Sequence, residues 1–192
     1  LILFSISCPA FFINVINNIF FGSTSCIVTK LINLEIKVGE KVGIIGTTGS
    51  GKTTFMEILM GLLPPTKGVV EINGVNIFDL KNRQLLVDWR SSIAYVPQNI
   101  FLSDFSIKEN IAFGISKGEI DINRVKQACK AAHIEDYINS TPYKYDGLVG
   151  ERGISLSGGQ CQRIGIARAL YEKKDILFLD EATSSIDTKT EK

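Results

Sequence analysis

Three short stretches of this chain collect residue types that bind and process phosphate. Gly46-Thr47-Thr48-Gly49-Ser50-Gly51-Lys52-Thr53 fits G-x-x-x-x-G-K-[ST], with Gly46, Gly51, Lys52 and Thr53 in the fixed places. Gly46, Gly49 and Gly51 let the backbone adopt conformations closed to other residues, so its N–H groups can approach a phosphate closely. The Lys52 ammonium would lie between the β- and γ-phosphates of a triphosphate, and the Thr53 hydroxyl would be a Mg²⁺ ligand. Asp180-Glu181 closes the apolar run Ile176-Leu177-Phe178-Leu179. Asp180 is placed to hold Mg²⁺, directly or through water; Glu181 is placed to accept a proton from an attacking water or to orient it. Leu156-Ser157-Gly158-Gly159-Gln160 sets a hydroxyl and free N–H groups at a helix start, which makes a second anion site. Singly, these are a glycine-rich turn, two solvated acids and a capped helix. In this order along one chain they point to nucleotide hydrolysis.

Such chemistry needs elements that aim it. Val42-Gly43-Ile44-Ile45 reads as a short buried strand and Thr54–Leu63 as a helix, so the phosphate loop joins a strand to a helix and points free amides at an anion. The run 175–179 is apolar after its first residue, which suits a central parallel strand covered on both faces. Ligands in such sheets bind at the carboxyl ends of strands, where the acidic pair falls. Gln160–Tyr171 reads as a helix with Ile164, Ala167 and Tyr171 on one face. Pro64–Gly68 is a turn, followed by a strand in Val-Val-Glu-Ile-Asn-Gly. Residues from about 101 to 147 look mainly helical, with Ile122, Val125, Cys129 and Ala132 forming an apolar stripe.

Taken together, these pieces resemble the ATP-binding cassette (ABC) ATPases, most of all the nucleotide-binding domain of an ABC exporter. The resemblance is carried by 46–53, Val96-Pro97-Gln98, Val149-Gly150-Glu151-Arg152-Gly153, 156–160, 176–181 and Ser184-Ser185-Ile186-Asp187. It extends from about Leu31 to the C-terminus. It implies an α/β P-loop NTPase fold of the ABC type, with a mixed β-core, an antiparallel β-subdomain and an α-helical subdomain at about 101–160. It also implies ATP and Mg²⁺ as cofactors, with ATP hydrolysis powering export across a membrane. Nucleotide would be bound by Gly46, Thr47, Thr48, Gly49, Ser50, Gly51, Lys52, Thr53 and Thr54, and by Ser157, Gly158, Gly159 and Gln160 facing a partner subunit's γ-phosphate. Gln98 would touch Mg²⁺ and the attacking water, joining Thr53 and Asp180 as metal-site residues and Glu181 and Lys52 as catalytic ones. Asp187 would lie in the loop joining two sites across a dimer. The 149–153 stretch and Phe105–Gly114 resemble exporter patterns, the former that of a loop sensing the membrane domain. The implied partners are a transmembrane domain, fused or separate, and a second nucleotide-binding domain. The implied location is the cytoplasmic face of a membrane. A soluble ABC ATPase acting on nucleic acid or ribosomes is the competing reading, and a nucleotide-binding fragment without efficient turnover is a third.

Composition bounds these readings. A chain of 192 residues can form one good-sized domain with a substantial core. With 21 basic and 20 acidic residues and no basic patch, binding to nucleic acid is not expected. Cys8, Cys26, Cys129 and Cys161 are scattered without a C-x-x-C pair, which suits reduced thiols better than a metal site. Cys161 follows the second glycine motif, where oxidation would disturb it; a passive helix cysteine is the plainer expectation. His133, the single histidine, precedes that motif, so it cannot be the family's switch histidine, and is expected at the surface of the helical segment. The chain stops at Lys192, before a switch histidine could appear, and is expected to bind nucleotide while hydrolysing it poorly. Residues 1–30 form a start that is uncharged through Thr29, read as strands or the tail of a linker, with the nucleotide-binding domain at 31–192. Fifteen of the first 21 residues are apolar, which raises a membrane helix. Pro9, Asn14, Asn17 and Asn18 interrupt it, and no basic stretch precedes it to make a signal peptide. Phe20 or Phe21 could stack on adenine, as the family does with an aromatic residue upstream of the loop.

Overall fold

The computed structural model of the chain describes residues 32–47, 49–150 and 156–180, together with the backbone of strands at 2–6, 13–16, 21–23 and 26–28. Thr48, Glu181, Asp187, Phe20 and the Phe21 side chain lie outside the described part, as do residues 151–155. The chain divides into two compact units, one built from the chain up to Ile93 with Asp175–Asp180, the other from Ala94–Lys174.

The first unit holds the sheets. In chain order its strands are β1 (Ile2–Ile6), β2 (Ile13–Ile16), β3 (Phe21–Ser23), β4 (Cys26–Val28), β5 (Leu34–Ile36), β6 (Lys41–Ile44), β7 (Val69–Ile72) and β8 (Val75–Asn76). Strand β9 (Ile93–Val96) leads out of this unit and β10 (Ile176–Asp180) returns to it. Helix α1 (Lys52–Leu59) follows the phosphate loop, and α2 (Arg83–Ser91) follows a single 3-10 turn at Leu80–Asn82. One sheet has the order β6-β1-β10-β9; a second, β5-β2-β7-β8, is antiparallel at every pairing; β3 and β4 form a two-stranded hairpin. Four strands thus occupy parts of the uncharged start, and among the described residues no helix is long and apolar enough to cross a membrane.

The register explains how two distant segments reach one edge. Strand β1 runs antiparallel to both β6 and β10, and its Ile2 is opposite Ile44 on one side and Asp180 on the other. Strands β6 and β10 therefore run the same way, and both end where the phosphate loop begins. This corrects the expectation that β10 has parallel neighbours throughout. An apolar run specifies burial, not the direction of its partner, and β1 takes the place beside it. Ile176 and Phe178 are wholly buried while Leu177 and Leu179 are half-buried, so one face of β10 is covered more completely than the other. The expected buried strand at 42–45 is also only half-buried, and Ile45 is 86% exposed.

Helix α1 begins two residues earlier and ends four residues earlier than its apolar pattern suggests. It stops because Gly61 takes φ 75, and the amides of Gly61 and Leu62 turn back onto Ile58 and Glu57 oxygens at 2.9 and 2.8 Å, a Schellman close. Its inner face buries Phe55, Met56, Ile58 and Leu59 against Val70, Ile72, Trp89 and Phe178. Between β7 and β8 the chain turns on Asn73 and Gly74, both at positive φ, the Asn-Gly hairpin signature.

The second unit is helical, with α3 (Ile107–Ile111), α4 (Ile122–Ala131), α5 (Glu135–Ser140) and α6 (Gly158–Glu172), plus 3-10 turns at Lys117–Glu119 and Lys144–Asp146. Val125, Cys129 and Ala132 are buried as their stripe implies. Ile122 is 38% exposed, because it is the first residue of α4 and lies beyond the helix's packed length. Ile164, Ala167 and Tyr171 of α6 pack into the same core. His133 is exposed at φ 54, just past the end of α4, where its carbonyl accepts from Arg163.

Candidate functional site

In the first unit the phosphate loop and the end of β10 meet. A Cβ on Gly46 would lie 2.6 Å from Ser50 Oγ, so a side chain there would displace the Ser50 hydroxyl. Gly49 and Gly51 sit at φ 79 and 86, backbone that L side chains rarely adopt. The Ser50 amide turns back onto the Thr47 carbonyl at 3.1 Å, which closes the loop tightly. Gly51 is the N-cap of α1 and provides no side-chain cap, and no acidic residue stands in the first turn. Among the described residues no side chain caps the leading amides of α1, which suits them to an outside acceptor. Lys52 is the first residue of that helix. Its ammonium donates to the carbonyls of Gly46 and Thr47 at 2.9 and 3.0 Å, which holds it over the loop.

Thr53 Oγ1 donates to Asp180 Oδ2 at 3.3 Å, across 127 positions of sequence. Asp180 is 95% buried by its neighbours, being 5% exposed, while Thr53 is exposed. A hydroxyl and a carboxylate oxygen converging at the loop are the hard donors that suit Mg²⁺. Among the described residues no cluster of three His, Cys, Asp or Glu side chains forms a separate metal site.

The second unit carries the other candidates. Ser157 is the N-cap of α6, whose start two residues before Gln160 includes both glycines of the motif. Ser157 Oγ accepts from the Gln160 amide at 3.3 Å, and Gln160 Oε1 accepts from the Ser157 amide at 2.8 Å, a complete capping box. The Ser157 hydroxyl still has a proton to donate. Ser157 and Gly158 are exposed, and a Cβ on Gly158 would meet nothing within 4 Å. Gln98 is exposed just beyond β9. The stretch after it is shaped by Asn110, fully buried on α3, whose amide accepts from Ser103 N and donates to the carbonyls of Ser103, Phe105 and Ser106. Burial pushes the Cys161 thiol up, away from the reactive thiolate. Cys129 is buried and pushed up to about 12.

The structure thus brings Lys52, Thr53 and Asp180 to one place, and places Gln98 and 157–160 in the other unit. Sequence reading missed Trp89, Arg90 and Asn110. Trp89 and Arg90 donate to backbone carbonyls 30 and 29 positions away, and Asn110 bonds backbone groups four to seven positions before it; no motif spacing announces either.

Comparison with known proteins bears on the whole arrangement. A family model described as ABC transporter matches residues 29–184. The chain is 44% identical over 161 residues to an ATP-dependent lipid A-core flippase of Thiobacillus denitrificans, covering 84% of this chain and 27% of that protein. It is 44% identical over 172 residues to a colicin V secretion/processing ATP-binding protein of Escherichia coli, covering 89% of this chain and 24% of that one. A solved bacterial Atm1-family ABC exporter with ATP bound superposes with a TM-score of 0.82 at 34% identity, over 97% of this chain and 32% of the exporter. The chain spans about a quarter of the length of the curated relatives it matches.

Proposed function

The chain belongs to the ABC transporter family, and we propose that it works as the ATP-binding and ATP-hydrolysing module of an exporter. The observation that carries this reading is the meeting of Lys52 and Thr53 on the phosphate loop with Asp180 at the end of β10. Loop amides and the Lys52 ammonium bind the β- and γ-phosphates of ATP. Thr53 and Asp180, with Gln98, are the residues that would hold Mg²⁺. When bound, the ion neutralises charge on the phosphate oxygens. Glu181 accepts the proton of a water that attacks the γ-phosphorus; the bond to the β-phosphate oxygen breaks and ADP leaves. Catalysis on this scheme is mostly positioning and charge neutralisation, with little covalent work for the protein.

Ser157, Gly158, Gly159 and Gln160 face the γ-phosphate held by a second nucleotide-binding domain. A transmembrane domain, fused or separate, is the other partner, with the module at the cytoplasmic face. The exposed aromatics Phe101, Phe105 and Phe113, at 72%, 51% and 51%, support a covering partner on the second unit. Labelled ATP titrated with and without Mg²⁺, followed by a phosphate-release assay, tests the reading. Glu181→Gln is expected to retain ATP while releasing no phosphate. Unchanged release from that variant would remove Glu181 from the mechanism, and absence of ATP binding by the parent chain would end the proposal.

A further inference from the structure

Helix α1 has an open head and a bolted tail. At its head, Gly51 supplies no cap and no first-turn acid competes for the amides. At its tail every carbonyl from Met56 to Leu59 is taken. Met60, Leu62 and Gly61 amides fill those of Met56, Glu57 and Ile58 at 2.8, 2.8 and 2.9 Å, and the Trp89 indole donates to Leu59 O at 2.8 Å. Arg90 then donates to the carbonyl of Gly61 through Nε at 3.1 Å and again through Nη2. No basic residue stands in the last turn of α1 itself, so the Arg90 guanidinium supplies from α2 the cation that a helix C-terminus favours. A Cβ on Gly61 would lie 2.7 Å from Leu86 Cδ1 and 3.4 Å from Trp89 Cδ1, so the tail and α2 are in close contact.

An eight-residue helix is about 12 Å long and too short to hold itself together, so tertiary contacts set its axis. Any tilt at the tail is delivered to the head, where Lys52 and Thr53 are the first two residues. We propose that Arg90, together with Trp89, is a positioning residue for triphosphate binding. The pair fixes the tail of α1 so that its head presents the amides, Lys52 and Thr53 in binding geometry, without itself touching nucleotide. This rests on the phosphate-loop reading above.

The test is ATP affinity by calorimetry on the full chain, under conditions where each variant keeps parental circular dichroism. Arg90→Met and Trp89→Phe are each expected to weaken ATP about five- to ten-fold, and Arg90→Lys less, since it keeps the charge and one donor. Trp89 is the chain's one tryptophan, so its emission in the Arg90 variants reports the α1–α2 contact directly. A role in stability alone would lower the urea midpoint and leave affinity within about two-fold, and that result overturns the inference. Should Arg90→Met not fold, Trp89→Phe and Arg90→Lys decide the same question. Lys52→Ala runs in parallel. Parental affinity in Lys52→Ala refutes the phosphate-loop reading and this inference with it. Loss in Lys52→Ala with no change at Arg90 and Trp89 refutes this inference alone.

Discussion

At the head of α1 the chain places a glycine in left-handed backbone and leaves the leading amides uncapped; at the head of α6 it places Ser157 in extended backbone and closes a capping box with Gln160. Both turns are glycine-rich and both open a helix, yet they finish their hydrogen bonding differently. The first is open to something from outside, with Lys52 and Asp180 already beside it. The second is complete in itself and has a hydroxyl proton and an exposed glycine left to present. The missing cap leaves the α1 turn open to a ligand, whereas the α6 turn can present only what its capping box does not use. The proposal that follows is that the α1 turn binds nucleotide within one chain and the α6 turn serves a ligand held by another.

That contrast can be broken experimentally. Lys52→Ala should weaken ATP about 100-fold, because it deletes the cation that two carbonyls hold over the loop; an affinity unchanged by calorimetry would erase the distinction between the turns. Asp180→Asn should lower Mg²⁺-supported ATP binding about ten-fold, toward the value measured in chelator, and leave the chelator value as it was. Ser157→Ala should cost the second unit about 1 kcal/mol in urea unfolding through the lost cap, with ATP affinity of the single chain unchanged. A matching fall in ATP affinity there would show that the α6 turn binds nucleotide unaided.

The smallest effect concerns another capped head. In α3, Ser106 and Glu109 form a capping box like that of α6. Hydrogen bonds from Ser106, with the Lys117 ammonium 3.0 Å away, hold the Glu109 carboxyl at about 2, below its ordinary 4.5. A carboxyl lowered on folding stabilises the fold fully above its unfolded value. That contribution is lost as pH falls from about 4.5 to about 2. Urea midpoints measured through this window should decline, and Glu109→Gln should flatten the decline. An identical slope in that variant would assign the acid sensitivity elsewhere.

The phosphate-loop pattern was legible beforehand because it is local. Gly46, Gly51, Lys52 and Thr53 lie within eight positions, and their backbone demands follow from residue type. Ser157 was legible at a helix start, but its box with Gln160 was not, because the helix was expected from Gln160 and begins at Gly158. The α6 face of Ile164, Ala167 and Tyr171 follows from helical period. Boundaries were less legible: α1 extends to Lys52 because glycine N-caps it, and Ile122 escapes burial because it begins its helix. The apolar run at 176–179 announced a buried strand but was silent about its neighbour.

The sequence by itself determined where the glycine-bounded loop lies and which helix follows it, since these depend on φ preferences and hydrogen bonds spanning a few residues. Only the tertiary structure decided that Asp180 reaches Thr53, through β1 pairing with both β6 and β10, and that Trp89 and Arg90 close the tail of α1. The side-chain hydrogen bonds among these join positions 29 to 127 residues apart. Their energy comes from strand pairing and from carbonyls that burial leaves in need of a donor, and neither quantity has a period that a one-dimensional pattern can display.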